Sequence, residues 1–161
     1  MTSIWGPTEM VAEIGQPAPD FRLKDQTGEW RTLADLAGSK SMVMFMPYAF
    51  TSTCRGEVCE LRDNLHYLDG SGAKVFVITC DTRHSNRRWS EDLGLNFPML
   101  SDFWPHGEVS RAYGCFNEKS GAPMRSTYIL DQNGMVTDIV KTDRLDEPRQ
   151  WSDYMEALSE E

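Results

Sequence analysis

The sequence predicts an α/β fold in which a mixed central sheet is flanked by helices. Along residues 41–113, short apolar runs alternate with stretches of helical spacing, which is typical of parallel βαβ units. Two further apolar runs, 126–130 and 135–140, are joined by the turn sequence DQNG at 131–134, whose Asn-Gly pair is a strong signal for a β-hairpin. A sheet with both kinds of connection contains parallel and antiparallel strands.

The elements follow from local patterns taken in order. A hairpin at residues 21–33 is indicated by the turn sequence DQTGEW between short strand-like runs. The same periodicity arguments predict three strands and three helices: strands 41–45, 74–79 and 98–100, and helices 52–68, 85–93 and 107–113. A closing helix is predicted from Pro148, because proline is favoured at the first helical position. With 161 residues, the chain suits a single domain, 1–161.

Charge and hydropathy exclude several classes of partner. The chain has 25 acidic and 16 basic residues, a net charge of -9, and no run of Lys or Arg, which disfavours binding to nucleic acid or anionic membranes. The longest uncharged apolar stretch, 41–54, is interrupted by Pro47 and is shorter than the roughly 20 residues of a membrane helix. Residues 1–10 lack the basic and apolar regions of a secretion signal. We therefore expect a soluble cytoplasmic protein.

The cysteines do not form a recognisable scaffold. None of the four belongs to a CxxC pair, and their spacing fits neither a disulfide framework nor a zinc ribbon: Cys54, Cys59, Cys80 and Cys115. The three histidines are isolated from residues that could complete a ligand set. We expect no metal and no cofactor.

Cys54 lies where the predicted strand 41–45 gives way to the predicted helix 52–68. Unpaired backbone N–H groups and the positive end of the helix macrodipole favour a thiolate over a thiol at this position. Cys54 is also in phase with an apolar stripe, so its sulfur should point inward: Val58, Leu61, Leu65 and Leu68. A plain core cysteine is the alternative. The position at the helix start, the nearby Thr51 and a candidate cation in Arg125 favour a reactive thiol.

The pattern PxxxTxxC, formed by Pro47, Thr51 and Cys54, resembles the peroxidatic signature of peroxiredoxins. Matching stretches follow in the same order as in that family: GQPAPDF at 15–21, SDFWPHGEVSRAYG at 101–114, and Arg125 before a strand. The stretch at 101–114 is most similar to the alkyl hydroperoxide reductase E subgroup. This resemblance covers roughly residues 10–158 and implies a thioredoxin-like fold. It also implies a thiol peroxidase that reduces hydrogen peroxide and organic hydroperoxides through a sulfenic acid on Cys54.

The resemblance also assigns roles to individual side chains. Thr51 would orient the peroxide with its hydroxyl, Arg125 would hold the thiolate and the developing charge, and Pro47 would wall off the pocket. Each has a simpler interpretation: a helix N-cap for Thr51, a solvated charge for Arg125 and a strand terminator for Pro47. Glu57 matches a position that helps to fix the arginine network, and the alternative is a surface acid that complements the helix dipole.

Cys59 is the candidate resolving cysteine. Five residues along a helix correspond to a rise of ~7.5 Å and a rotation of ~140°, so an undisturbed helix cannot bring Cys54 and Cys59 to the ~4.4–6.8 Å Cα separation of a disulfide. The helix would have to unwind locally. A cysteine at this spacing is the resolving residue in the related bacterioferritin-comigratory-type subgroup, and we favour that role here. Cys80 and Cys115 are interpreted as structural.

The resemblance implies partners as well. It suggests a homodimer and a thiol reductant, which could be thioredoxin, mycoredoxin with mycothiol, or another low-molecular-weight thiol; the residues do not select among them. The loop with Phe103 and Trp104 would lie near the active site and the dimer contact, and an apolar wall there would admit organic hydroperoxides. The rival hypothesis is a non-catalytic thioredoxin-like module in which oxidation of Cys54 alters partner binding.

Overall fold

The computed structural model describes residues 11–71, 73–144 and 146–159, so the expectation for residues 1–10 falls outside the described residues. The nine strands of this part of the chain are β1 (Arg22–Lys24), β2 (Trp30–Thr32), β3 (Ser41–Phe45), β4 (Lys74–Thr79), β5 (Met99–Ser101), β6 (Phe116–Asn117), β7 (Ala122–Pro123), β8 (Ser126–Leu130) and β9 (Val136–Lys141). Its α-helices are α1 (Ser52–Ser71), α2 (Arg83–Leu93), α3 (Glu108–Tyr113) and α4 (Trp151–Ser159). A 3-10 helix, Leu33–Leu36, follows β2.

The central sheet has five strands in the order β5-β4-β3-β8-β9. Strand β3 pairs with β4 in parallel and with β8 antiparallel, and Val43 lies opposite both Phe76 and Tyr128. The sheet is therefore mixed, as predicted. Strands β1 and β2 form the predicted hairpin outside this sheet.

Both faces of β3 are covered, and all five of its residues are buried. Alternate side chains of a strand point to opposite faces of the sheet. Met42 and Met44 belong to one core cluster, with buried residues of α1, α2 and α4. Val43 and Phe45 belong to the other, with the hairpin and α3. The loop that follows β3 therefore leads into α1, which packs on the face of the sheet that carries Met42 and Met44.

Some predicted boundaries were wrong by one or two residues. Helix α2 begins at Arg83, because Thr82 caps it by accepting a hydrogen bond from the N–H of Ser85 at 3.2 Å. Helix α3 begins after Gly107, whose φ of 74° is left-handed. Strand β9 begins after Met135, because the N–H of Met135 donates to the Asp131 carboxylate in the turn at 3.0 Å.

The closing helix does not start at Pro148 but at Trp151. The intervening Arg149 directs its main-chain N–H to the carboxylate of Glu57 at 2.9 Å, and this contact fixes the segment before the helix begins. Helix α1 extends beyond residue 68 to Ser71. None of the helices in the described ranges is long and apolar enough to span a membrane.

Candidate active site

The loop between β3 and α1 is held in a constrained conformation. Phe50 has a φ of 68°, a left-handed value that costs a non-glycine residue of order 1–3 kcal/mol. Its ring lies 6.0 Å from that of Trp89 on α2. The N–H of Ala49 donates to the Asp81 carboxylate at 2.9 Å. Contacts with α2 and with the segment after β4 therefore fix how this loop enters α1.

Cys54 is the third residue of α1. The N–H of Arg55 donates to the carbonyl of Thr51 at 2.8 Å, so the amide groups of residues 52–54 precede this first helical bond. The Cys54 side chain has no exposed surface and packs in the core cluster with Val58 and Leu61. The sulfur therefore points inward, as the helical phase predicted; the side chain of Leu68 lies outside the described residues.

Thr51 and Pro47 frame the same loop. The backbone of Thr51 is in the N-cap position, while its hydroxyl donates to the carbonyl of Tyr48 at 3.2 Å. Pro47 is buried two residues after the end of β3. The structure therefore brings Pro47, Thr51 and Cys54 together in one loop and helix start.

Glu57 lies one turn after Cys54 and carries a buried ion network. Its carboxylate forms an ion pair with Arg125 and a second with Arg149, whose Nε donates at 2.7 Å. The Arg149 Nη2 donates to the same carboxylate at 2.9 Å, and its Nη1 donates to the Phe45 carbonyl at 2.7 Å. Arg125 is 2% exposed and Glu57 is 5% exposed, so neither is the solvated surface charge that was the simpler interpretation.

Glu57 and Arg149 stabilise each other's charged forms. Burial alone would raise the pKa of Glu57, but the hydrogen bonds and charge of Arg149, together with Arg125, hold this pKa below its ordinary value. Burial alone would lower the pKa of the Arg149 guanidinium. The groups around it outweigh that effect and raise its pKa: Tyr154, Glu57 and Cys54. Arg149 therefore stays charged inside the core.

Arg149 was not predicted as a site residue. It lies 95 positions after Cys54, in the segment EPRQW, where no spacing links it to the cysteine. Arg125 could be found because it directly precedes a strand at the position that the resemblance supplies. The only local signal for Arg149 is its place beside the predicted start of the closing helix, which indicates nothing about function.

The other cysteines occupy different environments. Cys59 is half-buried on α1, away from the inward stripe, and all four cysteines are free thiols. Burial raises the pKa of Cys80 to about 12, and its Sγ lies 3.8 Å from the Ser110 hydroxyl. Burial also raises the pKa of Cys115. The thiolate form of both is disfavoured, which makes them poor nucleophiles.

The loop after β5, which carries Phe103 and Trp104, and the loop between β3 and α1 both contact the turn that contains Ser120 and Gly121. The Tyr48 hydroxyl donates to the carbonyl of Ser120 at 3.1 Å, and the His106 ring is hydrogen-bonded to the carbonyl of Gly121 at 2.6 Å. Phe103 and Trp104 precede this histidine and are 40% and 78% exposed. Both loops therefore contact the turn that connects β6 and β7.

Comparisons with known proteins identify the family of this chain. Residues 14–139 match the AhpC/TSA family. The chain is 37% identical to Alkyl hydroperoxide reductase E of Mycobacterium tuberculosis, over 92% of this chain and 99% of the relative. It is 34% identical to Peroxiredoxin Bcp of Escherichia coli, over 77% and 82% of the two chains.

Solved structures share the fold. The crystal structure of Peroxidoxin BcpB from M. tuberculosis superposes with a TM-score of 0.79 at 27% identity, covering 92% of this chain and 95% of that one. The AhpC structure of the same organism, at 23% identity and a TM-score of 0.80, has the same thioredoxin-like architecture. A family match over most of the chain, together with relatives that are named peroxiredoxins, favours catalysis over the non-catalytic module. The chain belongs to the AhpC/TSA family and is a peroxiredoxin, a thiol-dependent peroxidase.

Proposed function

We propose that Cys54 is the nucleophile of this peroxidase, assisted by Thr51, Arg125 and Pro47. The observation that supports this proposal best is the position of the Cys54 thiol: fully buried in the first turn of α1, one turn before a carboxylate that holds two buried arginines. Amide groups and guanidinium groups stabilise negative charge on both sulfur and oxygen. Among the four cysteines, Cys54 alone combines the first turn of a helix with this network.

The chemical step is a displacement at oxygen. The Cys54 thiolate attacks one peroxide oxygen, the S–O bond forms as the O–O bond breaks, and the leaving alkoxide or hydroxide takes a proton to give an alcohol or water. The sulfur is oxidised to a sulfenic acid and the peroxide is reduced. In this reaction Thr51 orients the peroxide, Arg125 stabilises the charge on sulfur and on the leaving oxygen, and Pro47 closes one wall.

Cys54→Ser tests this assignment. The variant should lose peroxide consumption by ~10³-fold or more, because a serine hydroxyl is not ionised at neutral pH. Trp89 contacts the active-site loop, so tryptophan fluorescence should follow oxidation of the reduced protein. Cys115→Ser is the matched control, since it also removes a buried thiol, and it should keep the wild-type rate. Substantial activity in Cys54→Ser would assign the nucleophile to another cysteine.

Both hydrogen peroxide and organic hydroperoxides are proposed substrates. The relative in M. tuberculosis is named an alkyl hydroperoxide reductase. The loop before α1 carries Phe50, which is 55% exposed and would contact an alkyl group. Comparing kcat/KM for hydrogen peroxide with that for cumene hydroperoxide measures this preference. A cumene hydroperoxide rate at the level of free cysteine would rule out the organic class.

We further propose that Cys59 resolves the sulfenic acid and that an external thiol then reduces the protein. The reductant is thioredoxin, mycoredoxin with mycothiol, or another low-molecular-weight thiol. Steady-state turnover with each reductant in turn identifies it. A single stoichiometric oxidation with every one of them would instead support the redox-sensing module.

A homodimer in the cytoplasm is the proposed state of the protein. The aromatic side chain of Phe50, which is 55% exposed, supports association, because large apolar side chains at the surface commonly mark protein contacts. The four free thiols support a reducing compartment. Sedimentation at micromolar concentration and cell fractionation test the two proposals. A monomer under reducing conditions, or a protein found outside the cytoplasm, would contradict them.

A further inference from the structure

A cavity of about 460 Å³ lies apart from Cys54, between the β1–β2 hairpin, the start of α2 and the loop after β5. A volume of this size is within the range of small-molecule sites. Its lining combines cationic, polar and aromatic side chains: Arg22, Lys24, Arg83, His84, Thr82, Ser101, Trp30, Phe103 and Trp104, together with Leu23 and Pro105.

The charge of this lining is opposite to that of the molecule. The whole chain has a net charge of -9, yet none of the described lining residues is acidic, and three are Lys or Arg. Clustering of cations in a concave surface raises the local concentration of anions. The net negative charge of the protein repels small anions, whereas the positive charges of this cavity attract them.

The cations are held in place rather than dispersed in solvent. The Arg22 guanidinium lies 3.8 Å from the centroid of the Trp30 ring, and the Lys24 Nζ lies 5.0 Å from it. The Arg83 guanidinium lies against Gly28 in the hairpin turn: a Cβ atom added to this glycine would be 3.3 Å from the Arg83 Nη1. A guanidinium fixed in this way loses less side-chain entropy when it binds a carboxylate or phosphate.

The aromatic side chains provide a second kind of surface. Trp30, Phe103 and Trp104 are 49%, 40% and 78% exposed, although large aromatic side chains are usually well buried. All three line the same cavity. Aromatic rings in such an arrangement stack on flat apolar groups, while neighbouring cations bind an acidic group.

We propose that this cavity binds a small organic anion that carries an aromatic ring. Arg22, Lys24 and Arg83 bind its acidic group, and the exposed rings pack against its planar part. The acidic group can be a phosphate, as in a nucleoside monophosphate, or a carboxylate, as in an aromatic acid. The site is separate from Cys54, but it adjoins the active-site loop. Asp81 makes this link, because its carbonyl accepts from Ser101 in the cavity at 2.6 Å and its carboxylate accepts from Ala49.

Isothermal titration of the reduced protein with adenosine monophosphate and with indole-3-acetate tests the proposal. We expect saturable binding of at least one of them, weakened by added salt. Binding of the nucleotide alone points to a phosphate ligand, and binding of the indole acid alone points to a carboxylate. Cys54→Ser should bind equally well, so failure of the catalytic assignment would not affect this result.

Variants separate the cavity from general charge effects. Arg83→Ala and Trp104→Ala should each weaken binding by about tenfold, the loss expected for one charged contact or one stacked ring. Arg88→Ala is the matched control: it removes the same charge from an exposed position on α2 that is paired with Asp92. It should bind as the wild type does. Absence of binding to both probes, equal binding of uncharged adenosine or of inorganic phosphate, or equal losses in Arg88→Ala and Arg83→Ala would overturn the proposal.

Discussion

At the scale of single residues, Glu57 connects the candidate nucleophile to the rest of the molecule. It is on the same helix as Cys54, while Arg125 and Arg149 come from distant parts of the chain. Burying one carboxylate with two guanidinium groups is costly unless every charge is paired and hydrogen-bonded. The Glu57 carboxylate accepts bonds from both arginines and from the Arg149 main chain, which meets this condition. Two guanidinium groups and one carboxylate leave the network with a net positive charge, one helical turn along α1 from Cys54.

Replacing members of this network should separate catalysis from stability. Arg125→Lys keeps the charge but loses the planar fork, so peroxide reduction should slow by ~10²-fold, as for removal of one transition-state donor. Glu57→Gln leaves two buried arginines without an anion and should reduce the free energy of unfolding by ~3–5 kcal/mol. Stopped-flow fluorescence and urea unfolding measure the two effects.

The opposite ordering would contradict these roles: a large loss of stability in Arg125→Lys with an unchanged rate, or an unaffected fold in Glu57→Gln. Arg88→Lys on α2 is a control, because its arginine is exposed and pairs only with a neighbour one turn away in the described contacts. It should change neither quantity measurably.

The sequence could identify Cys54 because its chemistry depends on local position, the start of a helix after a buried strand. Arg149 could not be found in the same way. Its role depends on a hydrogen bond to a carboxylate 92 positions away, and such a contact exists only after the sheet has formed. Charged residues are usually at the surface, so neither Glu57 nor Arg149 carries a local signal of burial.

At the scale of elements, the predictions for long apolar strands were confirmed, while short segments were missed. Strands β3, β4 and β8 have the predicted bounds, because each contains a run of three or more apolar residues and is buried along nearly all of its length. Strands β6 and β7 have two residues each, too few to show any period. The 3-10 helix Leu33–Leu36 was not predicted: it begins at the last residue of the predicted hairpin, 21–33, and continues beyond it.

Helix α1 places Cys54 and Cys59 on different faces of one continuous helix. If Cys59 resolves the sulfenic acid, one equivalent of peroxide should give an intramolecular Cys54–Cys59 disulfide. Intact mass would show a loss of two hydrogens, and circular dichroism should show less helix because the first turns must open. Cys59→Ser should instead accumulate the sulfenic acid and over-oxidise more readily.

Cys80→Ser provides the control for this experiment, since Cys80 is buried and outside α1. It should form the disulfide as the wild type does. A stable oxygen adduct on Cys54 of the unmutated protein, with Cys59 still open to alkylation, would rule out the resolving role.

At the scale of the whole molecule, Asp102 joins the end of the central sheet to α3. Its carboxylate follows β5 and accepts hydrogen bonds from the N–H groups of Val109 and Ser110, at 3.1 and 2.8 Å. The Ser110 hydroxyl donates to it as well, at 2.8 Å. These bonds fix the loop that carries Phe103 and Trp104. The proposed anion cavity, which both aromatic side chains line, therefore depends on the buried Asp102.

Asp102 should give the protein a measurable dependence of stability on pH. Burial raises the pKa of this carboxyl from 3.8 to about 6, against the opposing effect of its hydrogen bonds. Between these two pH values, Asp102 is therefore protonated in the folded protein and ionised in the unfolded chain. The stabilisation is complete below the unfolded pKa and is lost as the pH rises through about 6. Glu57 and Asp25, whose pKa values are lowered, act in the opposite direction.

Asp102→Asn isolates this contribution, because the amide cannot ionise and every other titrating group is common to both proteins. The variant should be less stable than the wild type at pH 4.5, since one carboxylate oxygen that accepts amide bonds is replaced by a donor. The difference between the two free energies of unfolding should narrow by ~2 kcal/mol from pH 4.5 to pH 7, because the wild type loses the stabilisation of its protonated carboxyl. Urea unfolding followed by tryptophan fluorescence at several pH values measures it. A difference that stays constant or widens with pH would show that Asp102 is already ionised throughout this range.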